Sequence, residues 1–195
     1  MNLLRYTLIG DGSSDKALMP VINWLLNDLY PKLPIVSTFA EFGHLPKPPA
    51  KKNIAEQIKC AANYYPFDLL IYHRDAEVNN DGIIDKRKDE ILGAAANTND
   101  APSIVCIIPV VMTETWLLID KNAIKKAVGN RNFSGELKLP SIKNLEQKSN
   151  TNSMLYELLK AAKNTNKRSL QKFKPDYAVQ LVAEYITDFS PLRQL

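Results

Sequence analysis

Six carboxylates in this chain stand where they could act together: Asp11, Asp15, Asp75, Glu77, Glu114 and Asp120. Asp75 and Glu77 follow the apolar run at 69–72 with one residue between them, so an extended chain turns both to the same side. Asp11 and Asp15 follow a first apolar run at 3–9, and Glu114 and Asp120 follow a third at 103–111. If the three runs are parallel strands, their carboxyl ends share one edge, which is where open α/β sheets bind ligands. Carboxylates crowded there repel one another unless a hard cation lies between them. Magnesium and manganese take oxygen ligands, and a pair of such ions suits phosphodiester chemistry by gripping the attacking and leaving oxygens.

The elements that must position these acids can be read in order. The first strand ends in Gly10-Asp-Gly-Ser-Ser-Asp15, a tight turn into a helix with Ser13 or Ser14 as its N-cap. Leu18, Val21, Ile22, Leu25, Leu26 and Leu29 recur at helical spacing, and Pro20 suits a first-turn position or a kink. Ile35, Val36, Thr38 and Phe39 give a second strand. A proline-rich basic loop at 45–52 follows it, and then a helix at 53–64 capped by Asn53. After the central strand come a polar loop, Val78-Asn-Asn-Asp-Gly82, and a helix from about Asp85 to Ala96. Strands alternating with helices imply a parallel sheet built from βαβ units. Beyond Asn122 the pattern changes to a polar, loop-rich stretch at 129–153, then helices at 154–162 and 176–186. No internal repeat interrupts this order.

Other motifs compete for the same residues. Glu77-x-Asn79-x-Asp81-Gly82 mimics the start of an EF-hand loop, but its twelfth position is Lys88 rather than a bidentate Glu, so a turn into a helix is the stronger reading. The glycine-rich turn after the first strand is neither GxxxxGK[ST] nor GxGxxG, and its acids would repel a phosphate. His44 and His73 are the two histidines. His73 could bind substrate or position a water, but a strand-end histidine is more often structural. No Ser-His-Asp or Cys-His arrangement can be drawn from spacing. Basic segments at 47–52 and 163–174 could neutralise a phosphate backbone, with Lys167, Arg168 and Lys172 as the nucleic-acid contacts. Phe173, Tyr177 and the two tryptophans are assigned to the core.

The bulk properties fit a soluble globular chain. Of 195 residues 45% are hydrophobic and 24% charged, and the net charge of +4 permits a nucleic-acid partner without demanding one. Cys60 and Cys106 lie in apolar segments without CxxC spacing, which fits buried thiols in a reducing, cytoplasmic setting. The start of the chain lacks signal-peptide character, and the longest apolar stretch (104–112) is too short to span a bilayer, so no membrane partner is expected.

The segments Asp11-Gly-Ser-Ser-Asp15, Asp75-Ala-Glu77 and Glu114-Thr-Trp-Leu-Leu-Ile-Asp120 together resemble a Toprim domain over residues 3–120. The nearest likeness is to the small stand-alone Toprim-like and OLD-type nucleases of bacteria. Asp11 stands where that family carries Glu, Asp75 matches its first Asp, and Glu77 stands at its second. Asp15 matches the extra acid of the OLD-type branch, and Glu114 the Glu of an E-x-W-L-L-x-D segment. The resemblance implies a Toprim-like, Rossmann-like, mostly parallel α/β domain over 1–122. Residues 123–195 would be a loop-rich insertion and C-terminal helices packing on that domain. It implies a Mg²⁺- or Mn²⁺-dependent nuclease in which Asp11, Asp75 and Glu77 hold a first ion and serve catalysis, while Asp15 and Glu114 hold or orient a second. It also implies a DNA or RNA substrate, a setting in bacterial phage defence and an ATPase partner protein, with homo-oligomerisation left open. Two readings stay open beside it: a degenerate Toprim-like module that binds without cleaving, and phosphoryl transfer on small phosphate esters.

Overall fold

The computed structural model describes residues 3–76, 81–98, 103–110, 112–148 and 150–195. They form two compact units, 1–110 and 111–195, so the break falls ahead of the boundary at 122 read from the sequence.

The first unit is α/β. Its strands β1 (Leu4–Ile9), β2 (Ile35–Phe39), β3 (Leu69–His73) and β4 (Ile104–Ile107) make a sheet of order β2-β1-β3-β4 in which every pairing is parallel. Helices α1 (Leu18–Leu29), α2 (Ile54–Tyr64) and α3 (Asp81–Ala96) supply the crossovers. Side-chain alternation sorts the faces. Ile9, Leu70 and Tyr72 pack with Ile58 and Ala61 of α2 and with Ile91 and Ala95 of α3. Tyr6, which alternates with these, turns the other way and donates its hydroxyl to Asn23 Oδ1 of α1 at 2.8 Å. The α2/α3 face also holds a polar tie, since Tyr72 donates to Gln57 Oε1 and burial drives the phenol well above its ordinary pKa.

This strand order reverses direction between β1 and β3. The first crossover leaves β1 towards β2, and the third leaves β3 towards β4 on the opposite side. The crevice between the two diverging connections is the position where such sheets bind ligands. The sheet is thus a Rossmann-like arrangement of four parallel strands among the described residues.

Local expectations meet several outcomes. Strand β2 forms over Ile35–Phe39, and Asn53 caps α2 by accepting from Glu56 N at 3.0 Å. Pro20 sits in the first turn of α1, where its missing N–H costs nothing. Neither Ser13 nor Ser14 is the N-cap: a 3-10 turn over Ser13–Ala17 precedes α1, and its cap position is Gly12. Helix α3 begins at Asp81 rather than near Asp85, so the later half of the EF-hand-like segment is helix and not a calcium loop. Cys60 is buried and Cys106 half-buried, both as free thiols.

The second unit is helical. Helix α4 (Lys121–Ala127) packs against α5 (Thr151–Lys163) and α7 (Pro175–Tyr185), with the short α6 (Lys167–Gln171) between the last two in the chain. Leu117, Leu118, Ile124, Leu155, Leu159 and Val182 form its apolar interior. Thr115 and Thr151 share a buried hydroxyl–hydroxyl bond of 2.8 Å. Among the described residues no helix is long and apolar enough to cross a membrane.

Candidate functional site

Strands β1 and β3 pair with Ile9 opposite Tyr72, so the chain leaves both at one level and delivers Asp11 and Asp75 to the same crevice. The segment after β3 does not wander. Arg74 N donates to Ile107 O and Ala76 N to Pro109 O, both at 3.1 Å, which prolongs the β3–β4 ladder on either side of Asp75.

Between the acids lies His73, the last residue of β3, with no solvent exposure. Its Nδ1 is 3.1 Å from Asp15 Oδ2, an ion-pair approach, and its Nε2 is 3.2 Å from Asp75 Oδ1. A carboxylate beside each ring nitrogen requires a proton on both, because a neutral imidazole has only one N–H to give. Burial works against that charge, but Asp15 and Asp75 outweigh it and hold the imidazolium up to a pKa of about 9.

Asp15 reaches this position because it closes its own turn. Its Oδ2 accepts from Gly12 N at 3.1 Å while its own N–H donates back to Gly12 O at 3.2 Å. Burial alone would raise the Asp15 carboxyl, but His73 and the turn amides hold it below the ordinary range. Gly10 makes room for it. A Cβ at position 10 would stand 2.6 Å from Asp15 Oδ2 and 2.7 Å from Asp15 Cβ, distances no side chain tolerates. Gly12, by contrast, has an extended backbone that any residue can adopt.

Asp11 lies at the mouth of the crevice. Burial on its inner side pushes its carboxyl up; Arg74 and His73 pull it back, and the neighbouring Asp15 and Asp75 push it up again. Arg74 divides its charge between this group and α3, since its Nη1 lies 2.8 Å from Glu90 Oε2. On the other flank of Asp11 a pocket of about 700 Å³ opens between the first turn and the segment carrying Phe42, Pro48 and Lys51.

No family model, curated protein or solved structure matches this chain. The site is therefore described by its own geometry. Asp11, Asp15 and Asp75 come together. Glu77 lies outside the described residues. Among the described residues no three His, Cys, Asp or Glu side chains already stand in a metal-ligating group.

The remaining predicted residues belong to the second unit. Glu114 sits in a 3-10 turn (Thr113–Leu117) and neighbours Tyr156, whose phenol it helps raise together with burial and Asp176. Asp120 is the N-cap of α4, its Oδ1 accepting from Asn122 N at 2.7 Å and Ala123 N at 3.1 Å. Leu117 and Leu118 of the E-x-W-L-L-x-D segment are core. Arg168 and Lys172 are exposed on and just after α6, and the side chain of Lys167 is outside the described set. Tyr177, assigned to the core from sequence, is 64% exposed. The residue that sequence reading undervalued is His73. Its one signal was an i, i+2 relation to Asp75, which puts the two side chains on the same side of a strand.

Proposed function

We propose that the first unit is a Toprim-like, metal-dependent nuclease that hydrolyses a phosphodiester backbone at the crevice between β1 and β3. The observation that carries this reading is the delivery of Asp11 and Asp75 from adjacent parallel strands to the point where the strand order reverses. The donor set fits a hard cation: these are carboxylate oxygens, and burial, with Asp15 and Asp75 beside it, raises the Asp11 carboxyl against the pull of Arg74 and His73. Asp11 and Asp75 would hold Mg²⁺ or Mn²⁺, with Glu77 as the further acid that the motif provides. Bound there, the metal supplies Lewis-acid polarisation of the phosphate and a water of lowered pKa.

The chain's own residues do the rest. Asp15 is spent on the Gly12 amide and on His73, so its work is positioning. His73 fixes one oxygen of Asp75 and leaves the other for a ligand. The continued ladder at Arg74 and Ala76 stops Asp75 from swinging away when charge changes at the site. The pocket beside Asp11 leaves room for a substrate next to the acids.

One observation favours a second reading, a binding module without hydrolysis. The described acids are not already arranged as a ligating group, and His73 already neutralises part of their charge. A single experiment separates the two. Purified protein is incubated with supercoiled plasmid or with RNA in Mg²⁺ or Mn²⁺, beside Asp75→Asn. Nicking or cleavage that falls at least about a hundredfold in the variant supports the nuclease, since losing a ligand should cost no less than losing a ligand's supporting partner. No cleavage with either metal, together with a melting curve that metal does not move, establishes the binding module. Activity on a small phosphate ester alone overturns both in favour of phosphoryl transfer.

A further inference from the structure

The second unit carries a pocket that the hydrolytic site does not use. It measures about 480 Å³ and lies where the end of α4, the end of α5, and the α6–α7 connection meet. Lys163, Lys172 and Lys174 line it, along with Ser169, Phe173 and Tyr177, and no acid does.

The nearest acid in sequence is accounted for. Asp176 turns to Tyr156, accepting its hydroxyl at 2.5 Å. Lys163 Nζ donates to Val128 O at 3.0 Å, which fixes the ammonium at the pocket wall and leaves it further N–H groups to give. Lys172 and Lys174 form no ion pair among the described residues. Among the described residues Tyr177 is the most exposed large hydrophobic side chain at 64%, while Phe173 is half-buried at the same opening. Three cations attract an anion, and an exposed aromatic face attracts a flat ring. Only a ligand with both parts uses the whole pocket.

We propose that this pocket grips a single-stranded nucleic acid, with a backbone phosphate on Lys163, Lys172 and Lys174 and an unpaired base stacked on Tyr177. Single strands are commonly held in this way, by a basic groove that tracks the phosphates and aromatic rings that take the bases. A duplex offers the phosphates but keeps its bases stacked inside, so it satisfies only half the site. The inference concerns binding and stands independently of hydrolysis at Asp11 and Asp75. Of the contacts expected from the sequence (Lys167, Arg168 and Lys172), it keeps Lys172 and adds Lys163 and Lys174.

The test uses the full chain in EDTA, so that cleavage plays no part. Fluorescence anisotropy is followed with a labelled oligothymidine of about twelve nucleotides, a length within the range one such site covers, between about 50 and 200 mM salt. Lys172→Glu with Lys174→Glu should weaken binding about tenfold or more and flatten the salt slope by roughly one to one and a half, as expected for two lost contacts to a single strand. Tyr177→Ala should weaken binding about fivefold to a hundredfold, the range for one stacked base, with Tyr177→Phe close to wild type. The same-length duplex should bind less tightly than the single strand.

Three results would overturn the proposal. The first is an equal loss from Lys32→Glu with Lys59→Glu, exposed lysines of the other unit, which would mean diffuse charge. The second is wild-type affinity in Tyr177→Ala. The third is thymidine monophosphate displacing the strand at equal concentration, which would make the pocket a small-ligand site. Binding in EDTA without cleavage in Mg²⁺ upholds this proposal and sinks the nuclease; cleavage in Mg²⁺ together with wild-type strand affinity in the pocket variants does the reverse.

Discussion

At the amino edge of the sheet Arg5 and Asp68 meet as a matched pair; at the carboxyl edge Asp15 and Asp75 take the two ring nitrogens of one buried imidazole, with Asp11 near enough to feel its charge. Asp68 accepts from Arg5 Nη2 at 2.7 Å, from Nε at 3.2 Å and from the Arg5 backbone N–H at 2.9 Å, and these bonds hold its carboxyl at about 2. Every charge there is answered. At the opposite edge three acids face His73, while the nearest arginine is tied to Glu90. Asp11 has its carboxyl raised, chiefly by burial and then by Asp15 and Asp75, against the pull of Arg74 and His73. Two ends of the same strands thus differ in whether charge is closed within the protein or left open to a partner. An open balance is what a binding site needs, and a closed one is what a structural contact needs.

The largest expected effect follows directly from this contrast. Asp75→Asn should remove hydrolysis by the hundredfold or more stated above, whereas Asp68→Asn, which loosens the Arg5 pair, should lower stability and leave the cleavage rate of the folded protein unchanged. Equal losses from both would break the distinction between the edges.

Next comes His73. Truncation to Ala leaves Asp15 buried without its cation and should destabilise the metal-free protein by about 3–5 kcal/mol, the range for breaking a buried pair. The pH profile sharpens the point. His73 has a folded pKa near 9, above its unfolded value, so its stabilisation is complete below about pH 6.5 and is lost as pH rises through 9. Asp15 has a lowered folded pKa, so its contribution is present above about pH 4 and is lost as pH falls through the folded value. Melting temperature against pH should therefore plateau between those limits. His73→Ala should abolish the alkaline fall; if that fall persists, the imidazole is not its source.

The smallest effect concerns an acid whose charge is closed locally. Asp120→Ala removes the cap of α4 and should cost about 1 kcal/mol in chemical denaturation, with the cleavage rate unchanged. Loss of cleavage at unchanged stability would place Asp120 among the open acids after all.

Much of this was legible in the residues. The short apolar runs gave β2 and β3, and Asn53 announced the start of α2. What could not be read was adjacency. Asp15 and His73 are joined only because β1 and β3 are neighbours in the sheet, and local pattern carries no signal for strand order. The same limit hid the role of Gly10. As a turn glycine it looked conformational, yet the structure requires it for the space that Asp15 occupies. Asp120 misled for the opposite reason: a cap and a ligand demand the same residue type, and only the hydrogen bonds to Asn122 and Ala123 tell them apart. The basic segment was visible as composition, but which lysines line a pocket depends on how α4, α5 and α7 pack.

The crowding at Gly10 has a genetic consequence. Because the missing Cβ is the space Asp15 fills, the two positions should show epistasis rather than independent costs. Gly10→Ala should be damaging in the native background and much less so beside Asp15→Gly, which removes both the carboxylate and the Cβ that crowd position 10, giving a coupling of about 0.5–3 kcal/mol in a double-mutant cycle by thermal melting. A coupling near zero would mean that the turn relaxes around the methyl group. Otherwise Gly10 can change without loss only once position 15 has given up both its carboxylate and its Cβ.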